Sequence, residues 1–228
     1  MHEVRYAFTL PDGSLRGFAF EFDDRFALVH KPRAAWPDWT RLDFQKCESC
    51  PLPAGAAPRC PLAESLVDVV EAMRALVSHS TVEVEIVLGE RKTTASAPAQ
   101  DALRSLIGLL IPASGCPRTA FFRPMARFHA PLSGPEETLY RAASMYRLAQ
   151  HLRQSRGLTP RDGLAGLSEI YADLNVVNRH LTERLRSAVD KDSALNAVVL
   201  LDVFAQLLPM QLDEPLDELA ALFDAYLG

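Results

Sequence analysis

The sequence predicts an α+β fold: a small, mostly antiparallel N-terminal sheet and a predominantly α-helical C-terminal bundle, joined by a four-cysteine site. Three observations carry this. Apolar residues alternate on both sides of Pro11-Asp12-Gly13, apolar spacing becomes helical and stays so after Cys116, and the four cysteines divide between a loop after the hairpin and the end of a helix. Residues 1–96 are expected to hold the hairpin, the cysteine-rich loop and one helix, residues 97–228 the helical region, and the two to form one compact unit.

The stretch "EVRYAFTLPDGSLRGFAFEF" reads as a hairpin, with Tyr6, Phe8 and Leu10, then Phe18, Phe20 and Phe22, each on one face. "RFALVH" is a candidate third strand, and the two Pro-flanked tryptophans of "KPRAAWPDWTRLDFQ" suggest an ordered loop packed on the body. Leu66, Val69, Val70, Met73, Leu76 and Val77 recur at helical spacing, predicting a helix from Leu62 to about Val77. In "TVEVEIVLGERKTTAS", Val82, Val84 and Ile86 alternate with Glu83 and Glu85, a half-exposed strand able to pair with the hairpin. A helix from Ala99 to Ile111 should end at Pro112, leaving Cys116 just beyond its C-terminus.

Ser133 is the expected N-cap of the next helix, with Glu136 and Glu137 in its first turn and a buried stripe of Leu139, Ala142, Tyr146, Ala149 and Leu152. Leu167, Ile170, Tyr171, Leu174, Val177, Leu181 and Leu185 define a longer helix. "SALNAVVLLDVFAQLL" is apolar nearly all round and should be central, and "PLDELAALFDAYL" closes the chain; four antiparallel helices form a bundle most economically. Asn175, Asn178 and Asn196 interrupt these helices, as polar registry devices or, alternatively, as a ligand site.

Composition bounds the function. A chain of 228 residues with 48% hydrophobic and 23% charged residues is ordinary globular protein and needs no external staple. Its formal charge of −5 disfavours a general nucleic-acid binder. The N-terminus carries charges at Glu3 and Arg5 where a secretory signal needs an apolar region, and the run "LIGLLIPA" is far short of the ~20 residues of a membrane span. A cytoplasmic protein is expected, with no membrane partner. In that reducing compartment two disulfides are an unfavoured use of four thiols.

Cys47-x2-Cys50-x9-Cys60-x55-Cys116 consumes every cysteine of the chain. A two-residue gap lets both thiolates of a CxxC bind one ion, and two remote cysteines complete a tetrahedral sulfur shell. Buried inert thiols are the bland alternative. Against it stands the loop itself, rich in proline and poor in helix or strand propensity. Zinc is the default occupant, structural in role. An iron-sulfur cluster competes, because Cys-Pro occurs in cluster-binding runs, and Pro51 stands where zinc knuckles commonly place glycine.

"SGCPRTAFFRPMARFHAPL" is the other dense segment. Arg118, Arg123, Arg127 and His129 lie among Phe121, Phe122 and Phe128, and arginine forks bind carboxylates or phosphates. Arg123, Arg127 and His129 are the candidate ligand-binding residues, set against a bland alternative of ion pairs and seam packing. No Gly-rich phosphate loop, HExxH, GxSxG or paired-carboxylate motif is present, so no catalytic residue is named and an enzyme is disfavoured.

"CESCPL", "RCPLAESLVDVVE", "SGCPRTAFFRPMARFH", "EETLYRAASMYRLAQ" and "NAVVLLDVF" together resemble a family of uncharacterised bacterial proteins of about this length that share a domain of unknown function. The resemblance spans nearly the whole chain. It implies a bacterial, cytoplasmic protein and supplies no activity, substrate or cofactor. The function expected is therefore a metal-stabilised interaction or regulatory module, with a protein partner or a small anionic ligand, in which Cys47→Ser costs folding. The alternative is an iron-sulfur enzyme or redox sensor with an Arg/His-lined anionic pocket. A third reading, an arginine face of Arg118, Arg123, Arg127 and Arg141 docking nucleic acid or a phosphorylated partner, requires those side chains to cluster in solvent.

Overall fold

The hairpin forms where the alternation places it: β1 (His2–Thr9) pairs antiparallel with β2 (Leu15–Phe22), Tyr6 opposite Phe18. In the computed structural model, which describes residues 1–227 apart from 54, 56 and 214–216, β1 also pairs with β3 (Thr81–Leu88). A fourth strand, β4 (Arg91–Pro98), pairs with β3 and completes an antiparallel sheet of order β2-β1-β3-β4. Because side chains alternate, one face collects Val4, Tyr6, Phe8, Phe20, Val84 and Ile86, all buried. The other keeps Glu83, Glu85 and Lys92 in water, with a Glu85–Lys92 ion pair at 2.6 Å.

"RFALVH" does not become a strand. The Asp23 carboxylate accepts the N–H groups of Arg25 and Ala27, both at 2.8 Å, which curls the chain and leaves a single bridge between Phe22 and Leu28. Phe26 then sits at φ 58, and its ring stacks on Phe22 with centroids 4.3 Å apart. The tryptophan loop is ordered: Trp39 is buried in the main core, and the Arg59 guanidinium lies 4.7 Å over the Trp36 ring.

α1 (Pro61–Met73) starts on Pro61 and stops a turn short of Val77. The carbonyl of Arg74 accepts the N–H groups of Asp190 and Lys191 from a distant loop, so Leu76 is buried by that crossing and not by a longer helix. α2 (Ala99–Ala113) carries Pro112 within its last turn and buries Leu103, Leu106, Ile107 and Leu110. α3 (Arg123–Arg127) is a single turn. α4 (Pro135–Ser155) is capped by Gly134; the Ser133 hydroxyl instead donates to the carbonyl of Ala130 at 2.7 Å. Its predicted stripe holds at Leu139, Ala142 and Tyr146 and fails beyond, where Ala149 and Leu152 are exposed and Gln150 is buried, accepting the N–H of Arg161 at 2.8 Å.

α5 (Ala165–Arg186) follows the predicted stripe. Tyr146 of α4 lies so close to Gly166 that a Cβ there would collide with the phenol. α6 (Ser193–Asp213) packs between α5 and α2, yet Val199 and Val203 are exposed, so the expected all-round burial does not occur. Pro215 and Leu216 of the predicted closing helix lie outside the described residues. From Asp217 the chain forms two single turns, α7 (Asp217–Ala220) and α8 (Asp224–Leu227), separated by a 3-10 turn. One buried cluster runs from Val4 on β1 through α1 and α2 to Val198 on α6. A smaller one joins Phe122, Leu139, Tyr146, Leu167 and Tyr171. No helix among the described residues is long and apolar enough to cross a membrane.

Candidate functional site

Three separate segments deliver the cysteines. Cys47 and Cys50 sit in one turn, closed by the Cys50 N–H on the Cys47 carbonyl at 3.0 Å. Cys60 is the N-cap residue of α1, in extended conformation, and its N–H donates to the Thr40 carbonyl at 2.7 Å. Cys116 follows α2 by way of Gly115 at φ 90, a left-handed conformation that favours glycine. A Cβ on Gly115 would lie 3.7 Å from Pro61, which places the end of α2 against the start of α1. All four cysteines line one small cavity of about 20 Å³. All four are free thiols. Among the described residues, no three His, Cys, Asp or Glu side chains are gathered in ion-holding geometry.

The charged lining of this cavity is wholly basic: Lys46, Arg118 and Arg184, with no carboxylate. Arg184 is 2% exposed, and among the described residues no carboxylate forms an ion pair with it. Its guanidinium donates to the carbonyls of Trp39 and Arg41, both at 2.7 Å, and of Leu42 at 3.4 Å, tying α5 to the loop before the cysteines. Arg118 donates to the Ser49 carbonyl at 2.7 Å and pairs with Asp173 of α5 at 2.8 Å, gripping the CxxC turn from the other side. Burial pushes the Cys47 thiol up to about 12, and the other three thiols add to it; Cys116 shifts the same way. Arg184 shifts downward because it is buried, which the sulfurs of Cys60, Cys47 and Cys50 oppose.

Nothing in the notation of the sequence separates Arg184 from other surface arginines except its phase. It follows Val177 and Leu181 at i+7 and i+3 on the buried face of α5, where a charge has to be held by carbonyls or an anion. Arg184→Met takes a donor from three carbonyls and leaves that of Arg41 only the Phe44 N–H, at 3.3 Å. The expected loss is about 3 kcal/mol in urea denaturation, with Arg184→Lys recovering only part because an ammonium lacks the planar fork.

The arginines and histidine after Cys116 disperse. None of Arg123, Arg127 and His129 lines the cysteine cavity. Arg123 lies near enough to Asp23 to help hold that carboxyl below the usual range, and Arg127 is exposed over the rings of Phe26 and Phe128, at 5.7 and 5.5 Å. Arg141 donates to the carbonyls of Met125 and Phe128. With Arg118 on Asp173, the four arginines do not form the solvent-facing cluster that a nucleic-acid or phosphoprotein face requires. His129 is buried and makes a 2.6 Å contact with Tyr6 Oη, which also meets Ser105 Oγ at 3.0 Å. Burial and the charges of Arg141 and Arg91 depress the imidazole to about 3, so the ring is neutral and accepts from the phenol. Asn196 donates to Asp192 at the start of α6, whereas among the described residues the buried side-chain amide of Asn178 has no partner at hydrogen-bond distance.

A family model described as Domain of unknown function (DUF6901) matches residues 4–224. The chain belongs to that family. DUF6901 thus spans the sheet, all four cysteines and the helices through α7, so the cysteine cavity lies wholly within the family's shared domain. No curated protein and no solved structure matches the chain.

Proposed function

We propose that the protein is a non-catalytic interaction or regulatory module whose fold is fastened by one zinc ion held by Cys47, Cys50, Cys60 and Cys116. The observation that carries this is the convergence of every cysteine, from three separate segments, on one cavity whose charged lining is wholly basic. Four thiolates on a divalent ion carry a net charge of −2, which Arg184 and Lys46 would offset, Arg118 being paired with Asp173. Four protonated thiols give a buried arginine no counter-charge. The four sulfurs would hold the ion, which would fasten the loop after the sheet to the start of α1 and the end of α2.

The size of the cavity favours a single ion. About 20 Å³ is room for roughly one atom-sized sphere, not for the several irons and sulfides of a cluster. An interaction role is favoured by the outer side of α4, where Tyr140, Leu148 and Leu152 are exposed beside Phe121 and Phe128, apolar surface of the kind a protein partner covers.

Elemental analysis of protein purified anaerobically without added metal is expected to give one zinc per chain and no visible absorbance. Brown colour with iron and sulfide in stoichiometric amounts would instead establish the cluster reading, and metal-free protein of full stability would remove both.

A further inference from the structure

A second cavity, of about 140 Å³, opens where α2, α4, α5, α6 and the loop after α3 meet, and no cysteine lines it. Much of its wall is apolar, from Ile111, Pro112, Phe122, Leu132, Leu174 and Leu201. Its charged lining consists of two guanidiniums, Arg104 and Arg141, with no carboxylate. The neutral ring of His129 adds no charge.

Asn178 lines the same cavity. It is 1% exposed, and among the described residues neither Nδ2 nor Oδ1 meets a partner at hydrogen-bond distance. An amide so placed is normally satisfied by protein, water or ligand. Asp202 on α6 is near enough for the Asn178 amide to oppose the upward shift that burial gives that carboxyl, but it accepts from Gln206 at 2.7 Å and does not line the cavity. The arginines also have capacity to spare. Among the described residues Arg141 uses only Nη2, on two backbone carbonyls, and Arg104 meets Asp101 at 3.6 Å and the Ser133 carbonyl at 3.4 Å, both loose contacts.

We propose that this cavity binds a small hydrophobic carboxylic acid, its carboxylate received by Arg104, Arg141 and the Asn178 amide and its body by the apolar wall. The volume sets the size: a cavity of about 150 Å³ accommodates benzene, so the ligand is of the order of benzoate. The apolar wall argues against inorganic phosphate, which would bury its charge without filling the space. The site is independent of the cysteines and stands or falls apart from the zinc reading.

Titration calorimetry of the full chain with benzoate, benzamide and inorganic phosphate tests this. Benzoate is expected to bind saturably and at least tenfold more tightly than benzamide, with phosphate showing no saturation. Arg104 is held only by loose contacts, so Arg104→Gln keeps the melting temperature while weakening benzoate about tenfold and leaving benzamide unchanged. Asn178→Leu removes an unpaired amide, so it melts no lower than the parent and also binds benzoate more weakly. Equal binding of benzoate and benzamide, phosphate binding without benzoate, an Arg104→Gln variant with parental benzoate affinity, or no saturable benzoate binding overturns the proposal.

Discussion

If the four cysteines hold zinc as proposed, Cys47→Ser or chelation is expected to lower the melting temperature by roughly 10 °C while the sheet and α2 stay folded. The segment from Pro37 to Cys60 holds itself with little: a 3-10 turn at Asp38–Thr40, one bridge between Arg41 and Arg59, and a few backbone bonds. Structural zinc is worth about 10–16 kcal/mol in peptides that have no other core. Here the main cluster of the sheet, α1 and α2 exists apart from the ion, so only the part of that energy that orders the loop is lost, about 4 kcal/mol. At about 2–4 °C per kcal/mol for a chain of this size, that is roughly 8–16 °C. Hydrogen exchange should then speed up at the amides of Leu42, Cys50 and Cys60, whose hydrogen bonds close the loop, and not at those of β1 and β3. Melting curves unchanged by chelator and by Cys47→Ser would mean that the thiols are inert packing.

The local elements were legible because their signals are local. Alternation around Pro11-Asp12-Gly13 defines β1 and β2, and helical spacing defines α1, α2 and α5. β4 escaped because "RKTTASAP" has no large apolar residue to alternate; its partner β3 and the turn at Gly89 hold it in place instead. The failures on α4 and α6 share a cause. An apolar stripe states which residues prefer burial, and it does not state whether another element is present to cover them, so Leu152, Val199 and Val203 stay in solvent. Cysteine spacing marks the four thiols as a set, and folding brings them to one cavity. The arginine that spans from α5 to the preceding loop was hidden, since its carbonyl partners lie more than 140 positions away. The same holds for His129 and Tyr6, separated by 123 positions, whose contact no periodicity announces.

That contact makes the protein acid-sensitive well above the range of its carboxylates. The imidazole titrates at 6.5 when exposed and at about 3 in the fold, where it is buried against Tyr6 and faced by the charges of Arg91 on β4 and Arg141 on α4. Between these values the unfolded chain binds a proton that the folded chain refuses, so the contribution of neutral His129 is complete above pH 6.5 and falls as pH drops toward 3. Its slope is about 1.4 kcal/mol per pH unit, and the whole is about 5 kcal/mol. Asp12, Asp23 and Asp192, held low by hydrogen bonds, lose their own contribution only below about 3.8, and Asp202, held high by burial, works in the opposite sense and offsets a part. Urea unfolding at pH 7, 6, 5 and 4 is the measurement. The parent should lose stability steadily below 6.5, whereas His129→Gln, whose amide oxygen can still accept from Tyr6, starts lower and stays nearly level to about pH 5. Parallel curves for the two proteins would show that the imidazole is solvated in the fold and that the Tyr6–His129 contact does not seal it.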